Sequence, residues 1–325
     1  MIRRRRWTTT AGLILIVVMA IAAVAAPFVA PNAPHVQFDD RSFAPPMRLH
    51  VIGDAGLSAP FVYRQELEGR VSRRYRADVD TPVVLRWFSG GHLVNVPAGQ
   101  EPLLILGADA LGRDLFSRVL FGAQRSLAVA LAGVAGALVI GALVGGFAGS
   151  QGGRTESTLM WFSDFLLALP GAYLVLVLRG LLPPVLSDWE IFLLLASLFA
   201  LTAWPHAARG VRSIISVERA RDYAEAARAV GAGPIRMFLH LLPAARGFLA
   251  LEVVLLVPAL LVAEATVSYL GLGFPEASAS WGTLLQDAAN VRLLPEAPWV
   301  LAPAACLFLV TLGLHLVNPE RASRV

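Results

Sequence analysis

Six apolar runs constrain this chain more than any other feature, at residues 13–30, 127–149, 158–181, 191–208, 247–270 and 299–317. A hydrocarbon core ~30 Å thick is crossed by about 20 residues of helix at ~1.5 Å per residue. Inside hydrocarbon a segment must satisfy its own backbone N–H and C=O groups, so each run is expected to be helical. Composition agrees. Hydrophobic residues make up 56% of the 325, and the mean hydropathy is +0.64. A soluble domain of this size rarely carries so little charge, so the chain reads as an all-α integral membrane protein with six spans.

Arginine sets the orientation. Arg3, Arg4, Arg5 and Arg6 precede the first run, and by the positive-inside rule they hold the N-terminus in the cytoplasm. A secretory signal peptide is the competing reading of residues 1–30. The length of the run and the hydrophobicity that follows favour an uncleaved first span. Residues 31–105 then lie outside as a polar, partly β insertion between the first and second spans. Thr81–Phe88, Ser89-Gly90-Gly91 and His92–Val96 read as a hairpin, while Arg64–Asp80 reads as a short helix or a loop. Leu106–Leu127 interleaves Leu111, Leu115, Val119 and Phe121 with Arg113, Asp114, Arg118 and Arg125. That pattern suits an interfacial amphipathic helix. The five remaining spans fall within 106–317, and 318–325 is a short tail. Both termini are expected in the cytoplasm, with the chain multi-pass in the membrane. Gly141, Gly145 and Gly149, at four-residue spacing in the second span, would allow close helix approach.

Several function classes drop out. All 27 basic residues, against 23 acidic ones, are arginine. A phosphate-binding P-loop needs its lysine, so any ATP hydrolysis must sit on another chain. One cysteine, Cys306, permits neither an internal disulfide nor a two-cysteine metal site. The six histidines are scattered and match no H-E-x-x-H pattern. No catalytic residue, metal, bound cofactor or nucleic-acid partner is expected. Three acidic residues fall inside spans: Asp164 and Glu252 near cytoplasmic ends, Glu264 deeper. A carboxylate at such depth is a functional candidate, and Glu264 is the candidate for lining a translocation path or pairing with a donor on another helix.

The most polar helical stretch of the second half is Arg221–Pro243, within the cytoplasmic segment 209–246. Two amphipathic segments, Val217–Val230 and Pro234–Leu242, flank Gly231 and Gly233. Glycine permits a bend there, and Pro234 suits a first helical turn. A short arginine-rich helix–bend–helix between two spans is shaped to be gripped from outside the membrane.

Here a resemblance becomes specific. Glu225-Ala226-Ala227, Gly231 four residues on, and Leu241-Leu242-Pro243 resemble the EAA loop in permease subunits of ATP-binding cassette importers. Gly107-Ala108-Asp109-Ala110-Leu111-Gly112-Arg113-Asp114 resembles the GTDxxGRD box of the dipeptide and oligopeptide permease family. Arg118, Gly122-Ala123, Gly152-Gly153, Leu167–Pro170, Ser268–Gly273 and Ser280-Trp281-Gly282 follow in the family's order, so the likeness covers about two thirds of the chain. It is closest to the second, C-type permease of such importers. Ala108 replaces the usual threonine of the box, Leu239 a common arginine, and Ala244 a common asparagine.

The resemblance implies a type I importer permease fold and a division of labour. A second, homologous permease completes a heterodimer in the bilayer. Separate ATPase subunits bind ATP and Mg. An extracytoplasmic binding protein delivers a peptide. Tyr223, Glu225, Ala226, Ala227, Gly231, Ala232, His240 and Pro243 would form the loop that meets the ATPase. Gly107, Asp109, Gly112, Arg113 and Asp114 would form the family box before the second span. Nickel or another small solute is an alternative cargo within the class. An ATP-independent channel or carrier is the alternative outside it.

Overall fold

A computed structural model describes residues 2–53, 56–69, 74–97, 102–169, 171, 174, 177, 180 and 186–317. Among them, five helical stretches are long and apolar enough to cross a membrane. Most of the third apolar run past Leu169, including Pro170, lies outside the described residues. Helix α1 (Ile2–Val24) is followed by a single turn, α2 (Ala26–Val29). Then come α3 (Leu115–Gln151), α4 (Gly153–Ala168), α5 (Asp188–Arg219), α6 (Asp222–Ala229), α7 (Pro234–Leu241), α8 (Arg246–Tyr269), α9 (Trp281–Ala288) and α10 (Ala302–Val317). Two compact units result: residues 1–13, 127–264 and 311–325, and residues 14–126 with 265–310.

In the first unit, glycines let α3 lie directly on α5. A Cβ at Gly141 would stand 2.5 Å from Ala207 Cβ, one at Gly145 2.2 Å from the Ala208 carbonyl oxygen, and one at Gly149 2.8 Å from the Arg212 carbonyl oxygen. Lipid tails are as apolar as leucine, so close van der Waals contact of this kind is a main source of helix association in a bilayer. Gly145→Leu should therefore part the helices, at about 1–3 kcal/mol or more for overpacking. Gly247, with open space around its Cβ position, should accept alanine without loss. Thermal stability of the detergent-purified protein measures both; an unchanged Gly145→Leu midpoint would refute the seam. Ion pairs brace α4 on α5. Arg209 Nε donates to Asp164 Oδ1 at 3.0 Å, and Arg212 pairs with Glu156.

In the second unit, β1 (His50–Gly53), β2 (Gly56–Gly69) and β3 (Arg74–Val84) form an antiparallel sheet in sequence order. Phe61 faces Val84, Gln65 faces Ala77, and Leu67 faces Tyr75. The piece Arg64–Asp80, expected as a short helix or loop, is thus strand wherever it is described. Its Tyr75 is stabilised there by a cross-strand partner, Leu67, that no local pattern reveals. Thr81–Phe88 is not one strand either. The chain changes partner at Leu85, which is buried and donates its N–H to the Pro60 carbonyl at 2.9 Å. Beyond it, β4 (Arg86–Ser89) pairs with β5 (His92–Asn95) around Gly90-Gly91. Val62, Val83 and Leu85 share one apolar core with Leu103, Leu104 and Ala108, so the strands and the box segment are packed together.

Candidate coupling loop and buried charge cluster

Helix α6 opens with Asp222 and Glu225 in its first turn and closes with Arg228 in its last. Both signs complement the helix dipole. Its end is a Schellman motif. The Ala232 N–H donates to the Ala227 carbonyl at 3.0 Å and the Gly231 N–H to the Arg228 carbonyl at 2.9 Å, with Gly231 at φ 82°. That left-handed conformation is cheap only for glycine. Gly233 then serves as N-cap and Pro234 starts α7. Gly231 carries the bend; Gly233 lies in ordinary extended backbone.

Beneath the loop, Val211, Ile215, Ala224, Met237, Leu241 and Ala245 form a closed core. Ala224 is its contact from α6, while Glu225 and Ala226 are exposed and Ala227 is half-buried. The small residue that seats α6 on the core of its own chain is therefore Ala224. Helical phase decides it, because 224 shares a face with 227 and 228. Tyr223 meets His240 edge-to-face at 5.5 Å and donates its hydroxyl to Glu218 Oε2 at 2.7 Å. Arg228 donates to the Arg219 carbonyl. A groove of about 590 Å³ runs beside Glu225, bounded by Arg219, Arg228, Gln151 and Gly153. Pro243 lies in the 3-10 turn Leu242–Ala245 that leads into α8. The loop thus presents Glu225 on a rigid, braced platform.

The family box is not an amphipathic helix. Helix begins only at Leu115. Gly107 and Gly112 both adopt φ 74°, and Ala108 bridges Asp114 across a tight loop. The charges that suggested an interfacial face are buried instead. Asp109 Oδ1 accepts the N–H groups of Leu111 and Arg113, each at 2.9 Å. Its Oδ2 lies 2.7 Å from Arg113 Nε and 3.2 Å from Arg118 Nε. Arg113 reaches on to Glu276 at 2.8 Å, and Arg118 donates to the carbonyls of Glu276 and Pro34. Asp109, Arg113 and Arg118 are at most 3% exposed. Burial of charge on this scale is tolerated only with such close ion pairing. Trp281 locks the far side. Its indole N–H donates to the Val119 carbonyl at 3.0 Å, and its backbone N–H to Ser126 Oγ at 3.1 Å.

Asp114 is the N-cap of α3, its Oδ1 accepting from the Phe116 N–H at 3.0 Å. Ser117 and Asn32 donate to its other oxygen. Burial outweighs these bonds and pushes its carboxyl up from 3.8 to about 6. An acid whose folded pKa is raised holds its proton better when folded, so stability falls as pH climbs from about 4 to 6 and is level above. At ~1.36 kcal/mol per pH unit the effect reaches at most ~3 kcal/mol. Wild-type melting should drop between pH 4.5 and 7 relative to Asp114→Asn; parallel curves for the two proteins would refute it. Asn32, Glu276 and Asp287, which accepts from the Ala110 N–H at 3.3 Å, are members of the cluster that sequence reasoning missed. They lie too far from the box in sequence for spacing to signal them. Glu264 is fully buried on α8.

Residues 137–318 match the family model described as binding-protein-dependent transport system inner membrane component. The chain belongs to that family. Residues 4–46 match the N-terminal TM domain of oligopeptide transport permease C. The oligopeptide transport system permease protein OppC of Bacillus subtilis is 35% identical over 214 residues, 65% of this chain and 68% of that one. The di/tripeptide transport system permease protein DppC of Pseudomonas aeruginosa is 29% identical over 309 residues, 94% and 84% of the two chains. A putative peptide transport system permease protein of Brucella suis is 34% identical over 224 residues, 68% and 72%. The permease thus groups with the C-type subunits of dipeptide and oligopeptide importers, as the ordered boxes implied. It is a multi-pass membrane component of a transport system, not an enzyme.

Proposed function

We propose that this permease carries di- or oligopeptides across the inner membrane, receiving them from an extracytoplasmic binding protein and drawing on ATP hydrolysis by separate ATPase subunits. The observation that carries the reading is the loop Arg221–Pro243: a glycine-ended helix pair seated on its own apolar core, with Glu225 exposed. Such a platform moves as one piece. An ATPase that grips it shifts α5 and α8 together, and this biases the inward- and outward-facing states only if the grip differs in free energy between them. The absence of any lysine agrees, since no P-loop can exist on this chain. ATP and Mg belong to the partner, and this chain binds no cofactor.

The permease forms a heterodimer with a second, homologous permease. Six spans with both termini in the cytoplasm put the arginine-bearing loop 209–246 on the ATPase side and the strands of residues 50–95 outside. Glu264 is the candidate for the wall of the path. Reconstitution tests the proposal. Labelled peptide should enter vesicles only when the second permease, the ATPases, ATP and the binding protein are all present. Solute movement by this chain alone, without an ATPase, would overturn it.

A further inference from the structure

The hairpin formed by β4 and β5 ends in two aromatic side chains with no role in the coupling loop or the charge cluster. Phe88 is 73% exposed and Trp87 49%. Phe88 also adopts φ 52°, a conformation that costs a non-glycine residue of order 1 kcal/mol. The hairpin is not adrift. Phe88 packs against Phe28 with ring centroids 6.2 Å apart. Phe28 belongs to α2, whose Ala26 and the Ala30 that follows it are buried against Leu120 on α3. Its depth follows from the first span. Trp7–Val24 is an 18-residue stretch of mean hydropathy 2.2, or ~27 Å of helix at 1.5 Å per residue. One turn further, Phe28 falls where hydrocarbon gives way to headgroups. The apolar surface is continuous up to that level, through the exposed Ile14, Val17, Val18, Ile21 and Val24 of α1.

We propose that the β4–β5 hairpin docks on the bilayer, with Trp87 and Phe88 seated in the headgroup–acyl boundary beside Phe28. Tryptophan suits that zone because its ring is apolar and its N–H polar, and phenylalanine suits the acyl side of it. Gly90-Gly91 closes the turn, and Ser89 pairs with His92 beside it. The strands of residues 50–95 are thereby fastened to lipid as well as to the box. This inference rests on the topology proposed above but not on the cargo.

Site-directed spin labelling tests it in the full permease, assembled with its partner subunits in phosphatidylcholine–phosphatidylglycerol vesicles. With Cys306→Ser as background, a nitroxide is placed at Phe88→Cys and, for comparison, at Val79→Cys, which is 65% exposed on β3. The ratio of collision with oxygen to collision with a water-soluble nickel chelate should be several-fold higher at 88 than at 79. Equal ratios overturn the proposal, and so does shielding of position 88 from both probes, which would mean that a protein covers the hairpin. A second measurement needs no label. Lipids brominated near the headgroup should quench part of the emission of the seven tryptophans. Trp87→Phe should remove a measurable share of that quenching, and an unchanged fraction would count against docking even if transport is normal. Loss of peptide uptake with the probe results intact would instead fault the transport reading and leave the docking standing.

Discussion

Asp109→Asn should leave little folded permease in the membrane. Among the described residues, the carboxylate is the one buried anion that touches both Arg113 and Arg118. An asparagine keeps the volume but removes the charge, and one of its two positions must then carry an NH2 group. That group would face either the Arg113 guanidinium or the N–H groups of Leu111 and Arg113, all of them donors. Breaking a buried pair by removing one partner costs about 3–5 kcal/mol, because the stranded charge cannot return to water. That is a large part of the ~5–15 kcal/mol by which a protein is stable. The effect should show as a fall in detergent-extracted protein and a lower melting midpoint. Glu276→Gln should be milder, since that side chain is 56% exposed and water can replace it. A wild-type yield and midpoint for Asp109→Asn would mean that the cluster does not hold this region together.

Gly231→Val should abolish most peptide uptake while the protein still inserts. The residue stands at φ 82°, and a β-branched side chain is strongly disfavoured there. The Schellman closure would open and α6 would leave its seat on Ala224. Gly231→Asn should retain much more activity, because asparagine tolerates this conformation. That ordering separates a conformational demand from a simple steric one, as a Cβ at Gly231 meets nothing within 4 Å. Glu225→Arg tests the surface rather than the bend. Uptake should fall at least tenfold with the thermal midpoint unchanged, because Glu225 is exposed and lies outside the core beneath it. ATPase activity that persists without transport would locate the defect in coupling. Full uptake in Gly231→Val would sink the loop's role as a rigid lever.

How much of this was legible in the chain differs from site to site. The coupling loop was nearly all local. Its amphipathic period, its glycine and its Pro234 sit within a couple of turns of one another, and short-range backbone rules are enough to read them. That Ala224 is the residue seating α6 on the core beneath it was not legible, since sequence does not say which arc of a short helix meets its own core. The glycine spacing in α3 was visible, but its partner Ala208 was not. The box went furthest astray. Alternating arginine and leucine looks the same whether the charges face a lipid surface or one another, and only Glu276 and Pro34, remote in sequence, decide between the two.

The sequence by itself determined that this chain crosses a membrane, that it cannot hydrolyse ATP through a P-loop, and that a bent helix pair separates two of its apolar runs. Each follows from composition or from neighbours along the backbone. Tertiary structure alone decided that Asp109, Arg113 and Arg118 form a buried cluster, that Arg64–Gly69 and Arg74–Asp80 belong to strands, and that Phe88 stands beside Phe28. The physical reason is the same in all three cases. A charge, a strand or an exposed ring is stabilised by a partner many residues away, and the local chain carries no record of which partner it will meet.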